Sequence, residues 1–442
     1  MAEITMIKTP AETGLSQAFE AAKASLPGSV AEREKAFQLF SGRGLPHRRV
    51  EEFKYTDLRA AMRDAAPLAG VPSSSEVAEA AEAGKAFAGI DAVRITIANG
   101  HVAAVDQSDA FARLGAMRVE AKPLAEALAS GHPLLSGITP VPAARDNPIY
   151  QLNSAFMFDG LVIRVPAGVS VETPIHLRFL TIGSSAIATA TRVLVVVEEG
   201  ASLTLLESHE GQDAASHQPN DAVEFVVGDK ATVRHVRLNA EGPNTLALST
   251  LAAKLGAGVS FSSLNVVVGG QVSRHQVYIA FAGEHSSAQI NGATMVKGRQ
   301  HADSTLLVDH SVPHCDSREL FKTVVDDEAT GVFQGKIIVH PQAQKTDGRM
   351  MSGCLLLSEA GTMNNKPELE IFADDVQCAH GATCGALDDE LLFYLMARGL
   401  PRKEAESLLV QAFLGEAVES VEHDDVREAL MDVVSGWLAA RA

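Results

Sequence analysis

The chain has 442 residues, 46% of them hydrophobic, enough apolar surface for a large core spread over roughly two to four structural units. A net charge of −18 without any dense Lys/Arg cluster argues against a role resting on nucleic-acid phosphates. Aromatics make up only 5%, while Gly and small β-branched residues are plentiful, a balance that suits many short strands in a regular stack.

In chain order, residues 12 to 64 read as helices. Leu15, Ala18, Phe19 and Ala22, then Ala36, Phe37, Leu39 and Phe40, recur at helical spacing, with a break at Gly44 to Pro46. Pro67 to Glu76, rich in Pro, Ser and Gly, reads as a loop, and Ile90 to Val105 as a hairpin about an Asn99-Gly100 turn. Pro133, Pro140, Pro142 and Pro148 mark an extended connector. His47, Arg48 and Arg49, with Lys54 nearby, are interrupted by Glu51 and Glu52 and read as a solvated helix face.

From Asn153 to Asp375 the texture becomes strand, turn, strand, repeated. Turns fall at Pro166 to Gly168, Glu199 to Ala201, Val227 to Asp229, Gly256 to Gly258, Ala282 to Glu284 and Glu359 to Gly361, each flanked by alternating apolar segments. The early spacing is roughly 30 residues, within the range of stacked repeat units. No segment of helical period interrupts this stretch, which excludes a parallel sheet with helical crossovers and leaves a sandwich, a barrel or a β-solenoid. The solenoid is favoured, because a columnar core needs few aromatics. Its end strands must be covered or paired with another chain.

After Ala386 the helical period returns. Asp388, Asp389 and Glu390 open a first helix, closed by Arg398 and Gly399; Pro401 starts a second; Val426, Leu430, Val433, Val434 and Trp437 form the apolar face of a third. Residues 380–442 hold 12 Asp/Glu against 5 Lys/Arg, so a basic partner surface is expected there. The chain therefore divides into an N-terminal helical region with a hairpin and connector (1–150), a β core (151–385) and a C-terminal helical domain (386–442).

Residues 1 to 14 show neither a basic region followed by an apolar core nor a small-residue cleavage site, so a cytoplasmic location is expected. Apolar runs such as Val193 to Val197 fall far short of the about 20 residues of a membrane helix. Cys315, Cys354, Cys378 and Cys384 cannot frame so long a chain with disulfides and read as reduced thiols. Burial as small apolar residues is the expectation for Cys315, Cys354 and Cys384. Cys378 and Cys384 lack the C-x-x-C spacing of a zinc or redox pair. Glu368 and Glu370, with Asp374 and Asp375, read as a solvated edge rather than paired catalytic carboxylates, and no Gly-rich phosphate loop of the P-loop type occurs.

The most specific stretch runs from His314 to Leu400. GVFQGKIIVHPQAQKTD, NKPELEIFADDVQCAHGAT and LDDELLFYLMARGL occur there together and in order. It closely resembles the SufB/SufD family of iron–sulfur cluster assembly scaffolds. GLPHRRVEEFKYTDL near the N-terminus, and AHGAT at Ala379 to Thr383 where SufB proteins read EHEAT, are similar to the SufD branch. The resemblance implies a mainly β protein, a right-handed parallel β-helix between helical N- and C-terminal domains. It implies a scaffold and not a turnover enzyme, which pairs with SufB, docks a SufC ATPase through its C-terminal helices, or pairs with its own copy. A transient iron–sulfur cluster would form at the interface with SufB, with reduced flavin a cofactor of the complex as a whole. His380 resembles the SufD histidine implicated in cluster assembly and is the expected metal ligand, since neutral imidazole ligates iron. Cys378, two residues earlier on an extended strand, shares its face and is a second candidate. Near Cys354, where SufB is expected to carry its essential cysteine, this chain has Ser352 or Gly353. The competing readings are a SufB-type scaffold that accepts sulfur directly and a polysaccharide-active β-helix enzyme.

Overall fold

The computed structural model describes residues 8–103, 107–138, 141–211 and 215–441. Residues 1–7, Val105 of the expected hairpin and Pro140 of the expected connector lie outside the described residues.

Sixteen consecutive strands, from Asp159–Val165 to Gln377–Gly385, alternate between two sheets, and each pairs in parallel with the strand two positions on. Ser202, Thr232, Ser260, Ser287, Asp316, Asp347 and Gln377 share one register column, so successive turns advance by 27 to 31 residues. The result is a β-solenoid, with helical segments before and after it.

Strand alternation sends every second side chain inward, and the parallel register stacks like on like. Val195, Phe225, Ala253, Ile279, Val308 and Ile337 form one such column, all fully buried. Burying an aliphatic or Phe side chain of this kind stabilises by about 1.5–3 kcal/mol, so the column supplies the core that scarce aromatics do not. Gly160 lets the first turn close: its φ is +138° and a Cβ there would stand 1.9 Å from the Arg192 carbonyl oxygen. The interior is not apolar throughout. Glu207 accepts from or faces His235 at 2.7 Å and His209 at 3.1 Å, and His209 lies 3.5 Å from Asp221, all buried.

The two ends of the column differ. At the N-terminal end Glu120–Pro123 pairs antiparallel with Asp159–Val165. Val93–Ala98 pairs with Ile175–Thr181 and folds back on His101–Val102 through the Asn99-Gly100 turn. Helix Gln107–Ala116 inserts Ala110 and Leu114 into the core there. At the C-terminal end Thr362–Ile371 and Gln377–Gly385 are the last strands of their sheets.

Helices Pro10–Ala22 and Val30–Arg43 pack with Pro148–Phe156 against the outer face of the nine-stranded sheet, where Phe19 stacks on Phe37 at 4.2 Å. The C-terminal helices Asp389–Met396, Arg402–Val418 and Asp424–Ala439 follow the solenoid, and the last two lie back along the ten-stranded sheet. Leu414 and Leu430 pack there among Leu206, Val236, Val266 and Met295.

Three local expectations are corrected. The proline-marked connector is not extended: Pro133–Gly137 is a 3-10 turn, and Pro142–Arg145 and Pro148–Phe156 are helical. Each of these prolines sits at the start of its element, where its missing N–H has no intrahelical partner to lose. The loop reading of Pro67 to Glu76 overruns a helix start, because Ser73 and Glu76 form a capping box for Ser74–Ala83. The basic stretch is not helical at His47 to Arg49; Arg48 and Arg49 are exposed on a turn, and Arg48 faces Asp57 at 3.5 Å.

Candidate functional site

The last strand, Gln377–Gly385, stacks on Asp347–Leu356 with Cys378 over Gly348, His380 over Met350, Ala382 over Ser352 and Cys384 over Cys354. Gly348, Met350, Ser352 and Cys354 are buried, while Arg349 and Met351 between them are exposed. The register therefore gives Cys378, His380, Ala382 and Cys384 the interior parity. With no further turn above them, His380 and Cys384 are exposed, and Cys378 is half-buried against the core. The neighbouring end strand, Thr362–Ile371, behaves alike: Leu369 sits over Ile337 but is only half-buried. The solenoid thus ends in an open mouth that carries both sequence-predicted site residues on one face.

Gly348 leaves space beneath the Cys378 thiol, because a Cβ there would meet Ser317 and Ile337 only at ordinary contact, 3.5 Å. Burial pushes the Cys378 thiol above its usual range, and the charges of Asp347 and Glu319 add to the rise. Glu319 is the deeper acidic group. It lies below Met350, which in turn lies below His380, in a single inward column. Its two oxygens lack a hydrogen-bond partner of good geometry, and the Ser317 hydroxyl beside them is engaged by His310 Nε2 at 3.0 Å. Burial pushes the Glu319 carboxyl up to about 8, against the opposing effects of Ser317 and Arg318.

The edge acids Glu368 and Glu370 are held in ion pairs. Glu370 binds Lys336 at 2.6 Å, Glu368 binds Lys366 at 3.1 Å, and Lys366 also holds Glu51 from the N-terminal segment. That segment lies across the outer face of the solenoid, where Arg274 and Gln334 donate to the Glu52 carbonyl at 2.7 and 3.0 Å. Among the described residues no group of three or more His, Cys, Asp or Glu side chains is arranged to hold a metal ion. No described helix is long and apolar enough to cross a membrane.

Cys315 and Cys354 are buried as expected, but Cys384 is exposed. Its pairing with Cys354 is the feature that residue-by-residue reading missed. A signal was present: the two cysteines are 30 residues apart, which is one solenoid turn.

Residues 179–413 match the family described as "SUF system FeS cluster assembly, SufBD core domain", and residues 17–177 match "SufBD protein N-terminal region". The chain belongs to the SufBD family. This SufBD protein is 34% identical over 296 residues to the iron–sulfur cluster assembly SufBD family protein slr0076 of Synechocystis, covering 64% of the present chain and 65% of that one. It is 33% identical over 233 residues to the iron–sulfur cluster assembly protein SufD of Escherichia coli, covering 53% and 55%. The Bacillus subtilis SufD is 27% identical over 296 residues, covering 65% and 66%. The matches span less than two thirds of the length of each of these relatives. Both family regions together take in the open mouth and most of the flanking structure.

Proposed function

We propose that this chain is a SufD-type scaffold of a cytoplasmic SufBCD assembly complex and not a turnover enzyme. In this reading it pairs with SufB through its open end, and a nascent cluster forms between them as cargo. The observation that carries the reading is the open mouth itself: both end strands present unpaired edges, and His380 and Cys378 stand on the interior face of the last one. An added strand from a partner would bring the missing ligands over these two side chains. His380 supplies a neutral nitrogen ligand and Cys378 a thiolate, the latter needing a cation nearby to offset its raised pKa.

The SufC ATPase docks in this proposal on the C-terminal helices. The first of them leaves Leu391, Phe393 and Tyr394 exposed, with Phe393 at 74%, while the other two are occupied in covering the sheet. Reduced flavin belongs to the complex as a whole, and no residue of this chain is assigned to it. The same open edge could join two copies of the chain, and the mass of the purified protein without SufB distinguishes that pairing.

The test is His380→Ala in the complex co-expressed with SufB and SufC and purified without oxygen. The complex should keep its mass and subunit ratio, because one exposed side chain adds little to a strand-paired interface. Iron and sulfide after reconstitution should fall several-fold, and Cys378→Ser should show a smaller loss. Undiminished iron and sulfide in the His380 variant refutes ligation by this residue. Persulfide transfer from a cysteine desulfurase separates the SufD reading from the SufB one, since a SufD-type chain should accept little.

A further inference from the structure

We propose that Cys354 and Cys384 form a thiol–disulfide exchange site whose co-substrate is a low-molecular-weight disulfide. The two residues are direct register partners on adjacent parallel strands and share the interior parity. Neighbouring strands run about 4.8 Å apart, which falls within the roughly 4.4–6.8 Å between Cα atoms that a disulfide spans, with side chains leaving in parallel. The thiols already sense one another: Cys354 is raised first by burial and then by the charge and hydrogen bonding of Cys384. The remaining thiols are badly placed to compete. Cys378 is six residues from Cys384 on the same extended strand, about 20 Å away, and Cys315 is buried with its thiol directed at the Gly283 and Pro313 carbonyl oxygens.

The asymmetry of the pair sets the order of events. Cys384 is exposed and meets the reagent; Cys354 is buried and does not. The Cys384 thiolate attacks one sulfur of the small disulfide, breaking its S–S bond and releasing one thiolate, which leaves a mixed disulfide on Cys384. That step leaves the Cys384 sulfur, now bonded to the small group, opposite Cys354 on the adjacent strand. The Cys354 thiol gives its proton to the thiolate released first, and its sulfur attacks the Cys384 sulfur, breaking the bond to the second small group, which leaves as a thiolate and takes from water the proton that Cys384 gave up on ionising. Two protein thiols and one small disulfide become one protein disulfide and two small thiols, so atoms and electrons balance. The bond closes a single solenoid turn and pins the last strand to its inner neighbour at the point where the chain leaves for the C-terminal helices.

The assignment stands apart from the scaffold reading and is tested on the 442-residue chain alone. The parent protein is incubated with oxidised glutathione, quenched by alkylation and analysed by intact mass and peptide mapping without reductant. The expected product has lost two hydrogens, carries a peptide linking Cys354 to Cys384, and returns to the starting mass with dithiothreitol. Cys354→Ala should instead retain one glutathione on residue 384, and Cys384→Ser should form neither the link nor an adduct at that position. A parent protein that keeps a stable glutathione on Cys384, leaves both cysteines alkylatable, or links Cys384 to a second chain overturns the proposal.

Discussion

Glu319 offers the sharpest test of how the interior is built, because it is a carboxyl with an ordinary value of 4.5 that burial pushes up to about 8. The folded state therefore keeps a proton that the unfolded chain releases above pH 4.5. Stability from this group is complete below that pH and is lost as pH rises towards about 8, at about 1.4 kcal/mol per pH unit. At pH 7 the loss is about 3 kcal/mol. Glu319→Gln keeps the shape and removes the titration, so parent and variant should match near pH 4.5 and diverge with rising pH, the variant being the more stable. For a chain of 442 residues, an unfolding entropy of about 2.1 cal/mol/K per residue turns 3 kcal/mol into a melting-point gain of about 3 °C at pH 7. Thermal and urea unfolding followed from pH 4.5 to 8 check it. Parallel pH profiles for the two proteins would show that the carboxyl is hydrated or paired in solution, and the reasoning from its burial would fail.

Glu207 should behave in the opposite sense. Burial alone would raise its pKa, but His235 and His209 outweigh that and hold it well below the carboxylate range, so its contribution is present above pH 4.5 and is lost as pH falls through the lowered folded value. Glu207→Gln should cost about 3–5 kcal/mol at pH 7, as for a broken buried ion pair, with the deficit shrinking in acid; a denaturant midpoint within error of the parent at pH 7 would contradict this. Phe393→Glu should abolish co-purification of SufC while leaving the melting point unchanged, since Phe393 is exposed. This is a cleaner probe than removing the C-terminal helices, whose loss would bare Leu206, Val236 and Val266. Retained SufC binding in the Phe393 variant counts against docking on that helix.

Much of the solenoid is legible in the chain because its turns punctuate alternating apolar segments, and the same alternation places Cys378 and His380 on one face. What escapes is whatever depends on stacking. Helix Gln107–Ala116 gives no sign, before the fold is known, that Ala110 and Leu114 enter the end of the core. Nothing local marks Glu319 as buried, since its parity is fixed by pairing with Ile290 and Met350 in other turns. The prolines of the connector misled because proline stops a helix and starts one equally well, and only the residues around it decide which. Cys384 lay between these cases: the interval to Cys354 equals the repeat, so a reader who folds the sequence at its own period would have found the pair.

The inequality of the two ends has a consequence for stoichiometry. Strands that can recruit strands usually propagate, each addition exposing a fresh edge. Here the far end of the column is stopped by the four-residue strand Glu120–Pro123, a two-residue return at His101–Val102 and the inserted helix Gln107–Ala116. A chain with one growing tip and one blunt tip is a terminator: joined tip to tip, two such molecules use up both sticky edges, and association through them stops at two.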